Sequence, residues 1–250
     1  MAQKLSYEVF GNGHPLVCLH AYALDHTEWL DVAGFLKSDF TLILPDIRGH
    51  GRSPSPTGLY SMQELAGDII ALLNHLKIEK AALAGHSMGG YVALSFAKNF
   101  PNRISGLALV ASHAYADSPE KRASRLEDIE KVKEFGPLQV LSEMPAKLSE
   151  DPKIQQFCRS KISQMDRNGV IGVLSAMSER KDSSEFLKSF DLPLGIIAGM
   201  RDRFIPLEMS RKMAEDFQPE IYVEIENSGH MPMLENPEAV AEALANLFLM

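Results

Sequence analysis

Lys80-Ala81-Ala82-Leu83-Ala84-Gly85-His86-Ser87-Met88-Gly89 is the stretch from which the rest of the chain is read. Its first six residues form a short, continuous run of small and apolar side chains, the pattern of a strand buried on both faces. A helix is expected directly after Gly89, so the serine falls on an abrupt strand-to-helix turn. Such a turn crowds the backbone, and glycines two residues to either side of the serine relieve the crowding. The hydroxyl then projects above the sheet, beside the unpaired N–H groups of a helix N-terminus that can stabilise a developing oxyanion. The bare G-x-S-x-G pattern arises by chance in roughly one chain in ten of this length. A small-residue turn with no chemistry explains it as well, and the decision passes to its surroundings.

Working outward, Leu16–His20, Phe40–Leu44 and Ile104–Ala111 are further apolar runs of strand length. Between them lie helical patterns. From Ser61 to Leu76 one face carries Leu65, Ile69, Leu72, Leu73 and Leu76, and Ser61 with Glu64 spells a capping box. Strands separated by helices predict an α/β fold, a mostly parallel sheet with helices on both faces. From His113 to Phe190 strand-like runs disappear and helical periodicity takes over, as with Leu126, Ile129 and Val132 on the segment 119–135. The strand pattern returns at Leu192 and again over Ile221–Ile225, and a last helix over 237–249 carries Val240, Leu244, Leu247 and Phe248. The domain reading is therefore a core of 1–112 and 191–250 interrupted by a helical cap, 113–190.

Composition bounds the rest. The chain has 250 residues, 45% hydrophobic and 23% charged, with a net charge of −8. Those are globular values, and the acidic balance argues against a nucleic-acid binder. Lys/Arg and Asp/Glu balance between 113 and 190, so the negative charge belongs to the core. Cys18 and Cys158 are the only cysteines and have no paired spacing, so neither a disulfide framework nor a thiolate metal site is indicated. The N-terminal residues lack the apolar stretch of a signal peptide, and no run approaches the ~20 residues of a membrane span. The expectation is a soluble, cytoplasmic protein with a small-molecule substrate, no nucleic-acid or membrane partner, and an open oligomeric state.

A serine hydroxyl needs a base to become a nucleophile at neutral pH, and the base needs an orienting acid. On this architecture the chain order is Ser, acid, His. Outside the insertion only His230 follows Ser87, in Asn227-Ser228-Gly229-His230, directly after the last expected strand. Asp202, in Gly199-Met200-Arg201-Asp202, lies just past the carboxyl end of another strand, where ligand sites form in open α/β sheets. Asp117 is a competing acid at the end of the preceding strand, whereas Asp25 and Asp46 break the chain order.

Several motifs then match one family. Leu19-His20-Ala21-Tyr22 resembles an H-G-x oxyanion segment, and Asp46-Ile47-Arg48-Gly49-His50-Gly51-Arg52-Ser53 a D-x-R-G-x-G-x-S turn. Gly85–Gly89 resembles a nucleophile elbow, Gly199–Asp202 an acid loop, and Gly229-His230 with Glu235-Asn236-Pro237-Glu238 a histidine loop. In this order and over nearly the whole chain they resemble the α/β-hydrolase superfamily, most of all its small bacterial esterase and enol-lactonase-like members with a helical cap after the sixth strand. The resemblance implies Ser87 as nucleophile, His230 as base and Asp202 as its acid. The oxyanion donors would be the backbone N–H groups of Met88 and Tyr22, and no cofactor or metal is implied. The family usually has glycine where this chain has Ala21; if that backbone needs positive φ, a Cβ costs roughly 1–2 kcal/mol. His20, His86, His113, Trp29 and Met231 are read as pocket residues. Arg122, Arg125, Lys161 and Arg180 are candidate anchors for an anionic substrate. The implied reaction is cleavage of a small ester, thioester or lactone. Carbon–carbon hydrolysis, acyl transfer and perhydrolysis use the same three residues, and a ligand-sensing module with an idle triad, favoured only by Ala21, is the non-enzymatic alternative.

Overall fold

The computed structural model describes residues 2–249. Strands β1 (Tyr7–Phe10), β2 (His14–Leu19), β3 (Phe40–Pro45), β4 (Ala81–His86), β5 (Ile104–Val110), β6 (Leu194–Gly199) and β7 (Ile221–Ile225) form one sheet in the order β1-β3-β2-β4-β5-β6-β7. Only β1 runs antiparallel to its neighbour. Its Y-E-V-F sequence sits at an edge with one strand beside it, so it has no continuous apolar run to betray it. The other strands are parallel. The pairings Leu19↔Gly85, His86↔Val110, Val110↔Ile197 and Gly199↔Ile225 bring their carboxyl ends to one edge of the sheet.

Side chains alternate between faces along each strand, and here both faces are apolar. Val17, Leu19, Ile43, Leu83, Leu107 and Leu109 enter the layer that holds α2 (Met62–His75) and α3 (Met88–Asn99). Leu16, Cys18, Leu42, Leu44, Ala84, Ala108 and Val110 enter the opposite layer. There a short 3-10 turn (His26–Trp29) leads into α1 (Leu30–Leu36), which packs on the C-terminal helix. Ser61 and Glu64 make the expected capping box at the start of α2. Both cysteines are buried and free.

Between β5 and β6 the chain forms α4 (Pro119–Phe135), α5 (Pro137–Val140), α6 (Met144–Leu148), α7 (Pro152–Ile162), α8 (Arg167–Ser178) and α9 (Ser184–Leu187), with no strand among them. This helical segment follows the fifth strand of the sheet, not the sixth. After β6 come α10 (Leu207–Phe217), α11 (Pro232–Glu235) and α12 (Pro237–Phe248), the last burying Val240, Leu244 and Leu247. In α4, Ile129 and Val132 are buried, whereas Leu126 is exposed, so the apolar face of that helix is narrower than its periodicity implies. Two backbone bonds tie the inserted helices to the core: Tyr60 N–H to the carbonyl of Gly172 (3.3 Å) and His230 N–H to that of Leu148 (3.1 Å). No helix among the described residues is long and apolar enough to cross a membrane.

Candidate active site

Ser87 sits between β4 and α3 at φ 50° and ψ −112°, a strained conformation for a residue with a Cβ. The neighbouring glycines make it possible. A Cβ on Gly85 would lie 2.4 Å from the Gly89 carbonyl, and one on Gly89 would lie 2.2 Å from the carbonyl oxygen of Leu19. The Ser87 backbone is fixed from both sides: its N–H donates to Val110 O (3.0 Å), and Ser112 Oγ donates to its carbonyl (2.7 Å). The serine precedes the first residue of α3, yet its side chain makes no capping bond. Its hydroxyl is not committed to the helix. Met88 begins α3, so its N–H has no intrahelical partner.

The candidate oxyanion loop follows β2. The Ala21 N–H donates to Glu28 Oε1 (3.1 Å) and the Ala23 N–H to His50 Nε2 (3.0 Å), which leaves the intervening Tyr22 N–H as the uncommitted donor. Ala21 is not in the left-handed region; the loop's left-handed residue is Ala23, at φ 63°. The strain expected at Ala21 does not arise. Burial pushes the His50 ring down to about 3, so it is neutral and its Nε2 can accept the hydrogen bond that the Ala23 N–H donates.

His230 and Asp202 meet from the loops after β7 and β6. His230 Nδ1 donates to Asp202 Oδ2 at 2.7 Å, and the two side chains are 3% and 2% exposed. The other Asp202 oxygen accepts the N–H groups of Phe204 (2.7 Å) and Ile205 (2.9 Å). Phe204 lies against the imidazole, ring centres 4.9 Å apart. Holding Nδ1 in this way leaves Nε2 as the basic nitrogen. Glu235 braces the same loop: its carboxylate accepts from Gly229 N–H (2.6 Å), Ser228 Oγ (2.8 Å) and Ser149 Oγ (2.5 Å). Asp117, the competing acid, is instead bonded to Arg125 (2.6 Å) and Arg180 (2.7 Å), and these cations hold its carboxyl below the usual range against the opposing effect of burial.

The pocket residues expected from the sequence fare differently. His20 is fully buried; its Nδ1 bonds the carbonyl of Ala21 (2.8 Å) and its Nε2 accepts the N–H of Ile47 (2.8 Å). His86 is likewise inaccessible, with Nδ1 on Glu28 (2.8 Å) and Nε2 on the carbonyl of His230 (2.7 Å). Neither has a ring nitrogen left for a ligand; both hold loops. Trp29 and Met231 show no accessible surface and belong to the apolar layer around α1 and α12. His113 lines a cavity between α2, α3 and the end of the inserted helices. Of the candidate cationic anchors, Arg122 is exposed and pairs with Glu179, and Lys161 pairs with Asp25 (2.9 Å). Arg125 and Arg180 are the two least exposed, with 13% and 5% of their side-chain surface accessible. The D-x-R-G turn is structural: Asp46 accepts from His26 Nδ1 (2.6 Å) and from Arg52 N–H (2.9 Å), and Arg48 clasps Asp68 with two bonds of 2.7 Å.

Glu28, His50, Ser112 and Glu235 also hold the candidate site in place. Glu235 and His50 lie inside recognisable motifs, but nothing in the sequence marks Glu28 as a buried acceptor.

The sequence model of the alpha/beta hydrolase family matches residues 16–243. The chain belongs to this family. It is similar to a thermophilic esterase from Thermogutta terrifontis, with 34% identity, 97% of this chain and 92% of that one covered, and a TM-score of 0.92. It is also similar to 3-oxoadipate enol-lactonase 2 of Acinetobacter baylyi, 25% identical over 248 residues, covering 96% of this chain and 91% of the relative. An uncharacterized Mycobacterium tuberculosis protein is 36% identical over 109 residues, so the match spans 44% of this chain and only about a third (32%) of that relative's length.

Proposed function

We propose that this alpha/beta hydrolase is a serine hydrolase of small carboxylic esters, thioesters or lactones. The observation that carries the reading is the 2.7 Å His230–Asp202 pair, set at the same sheet edge as the strained Ser87 turn. A triad is recognised by geometry and roles; these residues have the chain order, and the Asp202–His230 bond supports the acid and base roles. The similarity to an esterase and to an enol-lactonase points to the same bond type.

In this reading Ser87 Oγ attacks the substrate carbonyl as His230 Nε2 takes its proton. Asp202 keeps the imidazole in the tautomer with hydrogen on Nδ1 and stabilises the imidazolium as it forms. The oxygen that becomes negative is held by the N–H groups of Met88 and Tyr22. His230 then protonates the leaving alkoxide or thiolate, and a water activated by the same nitrogen releases the acyl group from Ser87. The helical segment 113–190 acts as a cap over the carboxyl edge of the sheet and selects the substrate, as insertions at strand ends do. The absence of strain at Ala21 removes the one feature that favoured an idle triad.

The test is hydrolysis of p-nitrophenyl esters from acetyl to dodecanoyl, with Ser87→Ala purified alongside. The expected result is a loss in kcat of at least ~10³ in the variant. Near-wild-type turnover by Ser87→Ala refutes the assignment. Product analysis with competing alcohols and peroxide separates hydrolysis from acyl transfer and perhydrolysis.

A further inference from the structure

The peptide unit between Ser87 and Met88 bears on the proposed reaction at both its ends. Its N–H is the candidate oxyanion donor, and its carbonyl points the opposite way, because a trans peptide is planar. Whatever fixes the carbonyl therefore aims the N–H. The torsion that sets this plane is ψ of Ser87, −112° at φ 50°, outside the regions that a residue with a Cβ adopts unaided. Contacts from elsewhere have to hold it. Two donors reach the Ser87 carbonyl: the Gly90 N–H in the first turn of α3 (3.0 Å) and the hydroxyl of Ser112 (2.7 Å). Both lone pairs of that oxygen are thus occupied.

Two separate parts of the chain are shaped around the second of these bonds. The backbone leaves β5 through Ala111, whose φ of 42° lies in the left-handed region that alanine disfavours. That turn is pinned from both sides, by the Ala111 N–H on the carbonyl of Ile197 (2.8 Å) and by the Ser87 N–H on that of Val110 (3.0 Å). It delivers the buried Ser112 against the elbow. Across from it the helix makes room: a Cβ on Gly90 would lie 2.3 Å from Ser112 Oγ and 2.7 Å from Ser112 Cβ. The strained alanine and the bare glycine have one effect in common, which is to bring a hydroxyl within reach of the Ser87 carbonyl.

We propose that Ser112 is a positioning residue for the oxyanion hole. By holding the Ser87 carbonyl, its hydroxyl keeps the Met88 N–H aimed at the place where charge develops. The bond accepted by the carbonyl also polarises the same peptide unit and strengthens its N–H as a donor. This role rests on the hydrolase reading above. Ser112 acts through one peptide unit and not by contact with the substrate. Acylation and deacylation pass through the same oxyanion, so the effect falls on kcat and leaves KM nearly unchanged.

The experiment compares wild type, Ser87→Ala, Ser112→Ala and Ser112→Cys in hydrolysis of the best p-nitrophenyl ester of the series above, in inhibition by trifluoroacetone and in thermal unfolding. Trifluoroacetone reads the hole directly: Ser87 Oγ adds to its carbonyl carbon, the hydroxyl proton passes to His230, and the carbonyl oxygen becomes the anion that the donors hold. Ser112→Ala is expected to lower kcat by ~10-fold or more, with KM within about twofold of wild type, and to raise the inhibition constant of trifluoroacetone by a matching factor. The loss stays short of the ~10²–10³ that removing a donor costs, because the Met88 N–H is still present. Ser112→Cys keeps the volume but offers only a weak S–H donor, and its values are expected to lie between. The alanine variant leaves the Ser87 carbonyl bonded to the Gly90 N–H, so no buried carbonyl is orphaned; should it not fold, the cysteine variant decides. Unchanged kcat and inhibition constant in either variant overturn the proposal. So does a lowered melting temperature with both constants unchanged, which makes the hydroxyl a structural group. When wild type hydrolyses the ester and Ser87→Ala does not, such a result overturns the role of Ser112 alone. A wild type that neither hydrolyses any ester of the series nor binds the ketone refutes the hydrolase reading and this role with it.

Discussion

Glu28 offers the most demanding test of how this site is held. It has no accessible surface, and Oε1 alone takes two buried donors, His86 Nδ1 at 2.8 Å and the Ala21 N–H at 3.1 Å. Through His86 the link runs on to the backbone carbonyl of His230 at 2.7 Å. One carboxylate thereby joins the candidate oxyanion loop, the residue before Ser87 and the loop of the base. Glu28→Ala leaves both donors without an acceptor, at about 1–3 kcal/mol each, and breaks a buried pair, a change that costs about 3–5 kcal/mol as a whole. Taking ~4 kcal/mol and the usual response of a domain of this size, the melting temperature falls by about 8–16 °C. Glu28→Gln keeps one oxygen for the Ala21 N–H and should lose about half as much. The activity readout separates the two loops. A loosened oxyanion donor lowers kcat with little change in KM, because it acts only on the transition state. Thermal unfolding with Michaelis kinetics on the same preparations is the assay. A Glu28→Ala protein that melts within 2 °C of wild type and keeps its kcat refutes the reasoning.

Asp202→Asn should fold normally, since the asparagine oxygen can still accept the Phe204 and Ile205 N–H groups, but kcat should fall by ~10⁴ through loss of the correct imidazole tautomer. Asp117→Asn should do the reverse: it leaves two largely buried arginines short of a counter-charge and costs about 2–4 kcal/mol in denaturant unfolding, while kcat in the surviving folded protein changes far less than in Asp202→Asn. Acid sensitivity follows from His113 and His50, held by burial at about 4 and about 3. Below the ordinary histidine value the unfolded chain binds protons that the folded chain refuses, so this stability is present above pH ~6.5 and is lost as pH falls toward 4, at about 1.4 kcal/mol per pH unit for each ring. His113→Phe should flatten the slope of unfolding free energy between pH 6 and 4.5 by about that amount, and an unchanged slope would show that the ring is not held neutral.

The parts legible in the sequence are those where one local pattern meets one physical need. β4 and the elbow were readable because Lys80–Gly89 must be both a doubly buried strand and a turn that no Cβ at Gly85 or Gly89 could enter. Asp202 was readable because its strand ends where ligand sites form, and the structure gives it His230 while Asp117 is bonded to two arginines. β1 was not, because a half-exposed edge strand needs no apolar run. Histidines give no local sign of which role they take. His20, His86 and His113 look alike in sequence, each near the end of a strand, and only long-range partners distinguish them: Ile47 for the first, Glu28 and the His230 carbonyl for the second, Arg180 and Tyr91 for the third. Partners 22 to 144 residues away leave no local trace.

That pattern also explains how the chain accommodates Ala21, where the resemblance read from the sequence usually has glycine. In a loop held only by its own backbone, glycine would have to supply the unusual geometry. Here side chains from outside fix it, Glu28 on the Ala21 N–H and His50 on the Ala23 N–H, and the left-handed residue is Ala23. A positive φ at alanine costs about 1–2 kcal/mol, which one buried hydrogen bond to a neutral histidine is of the right size to offset. Committing the N–H groups on both sides of Tyr22 has a further consequence: the Tyr22 N–H is the donor left over, held on a loop that can shift little without breaking one of those bonds. Oxyanion stabilisation is worth most when its donors are already in place as charge develops, because no reorganisation is then required. In the proposed reaction, the buried Glu28 and the neutral His50 are thus the groups that preorganise the loop carrying the Tyr22 donor.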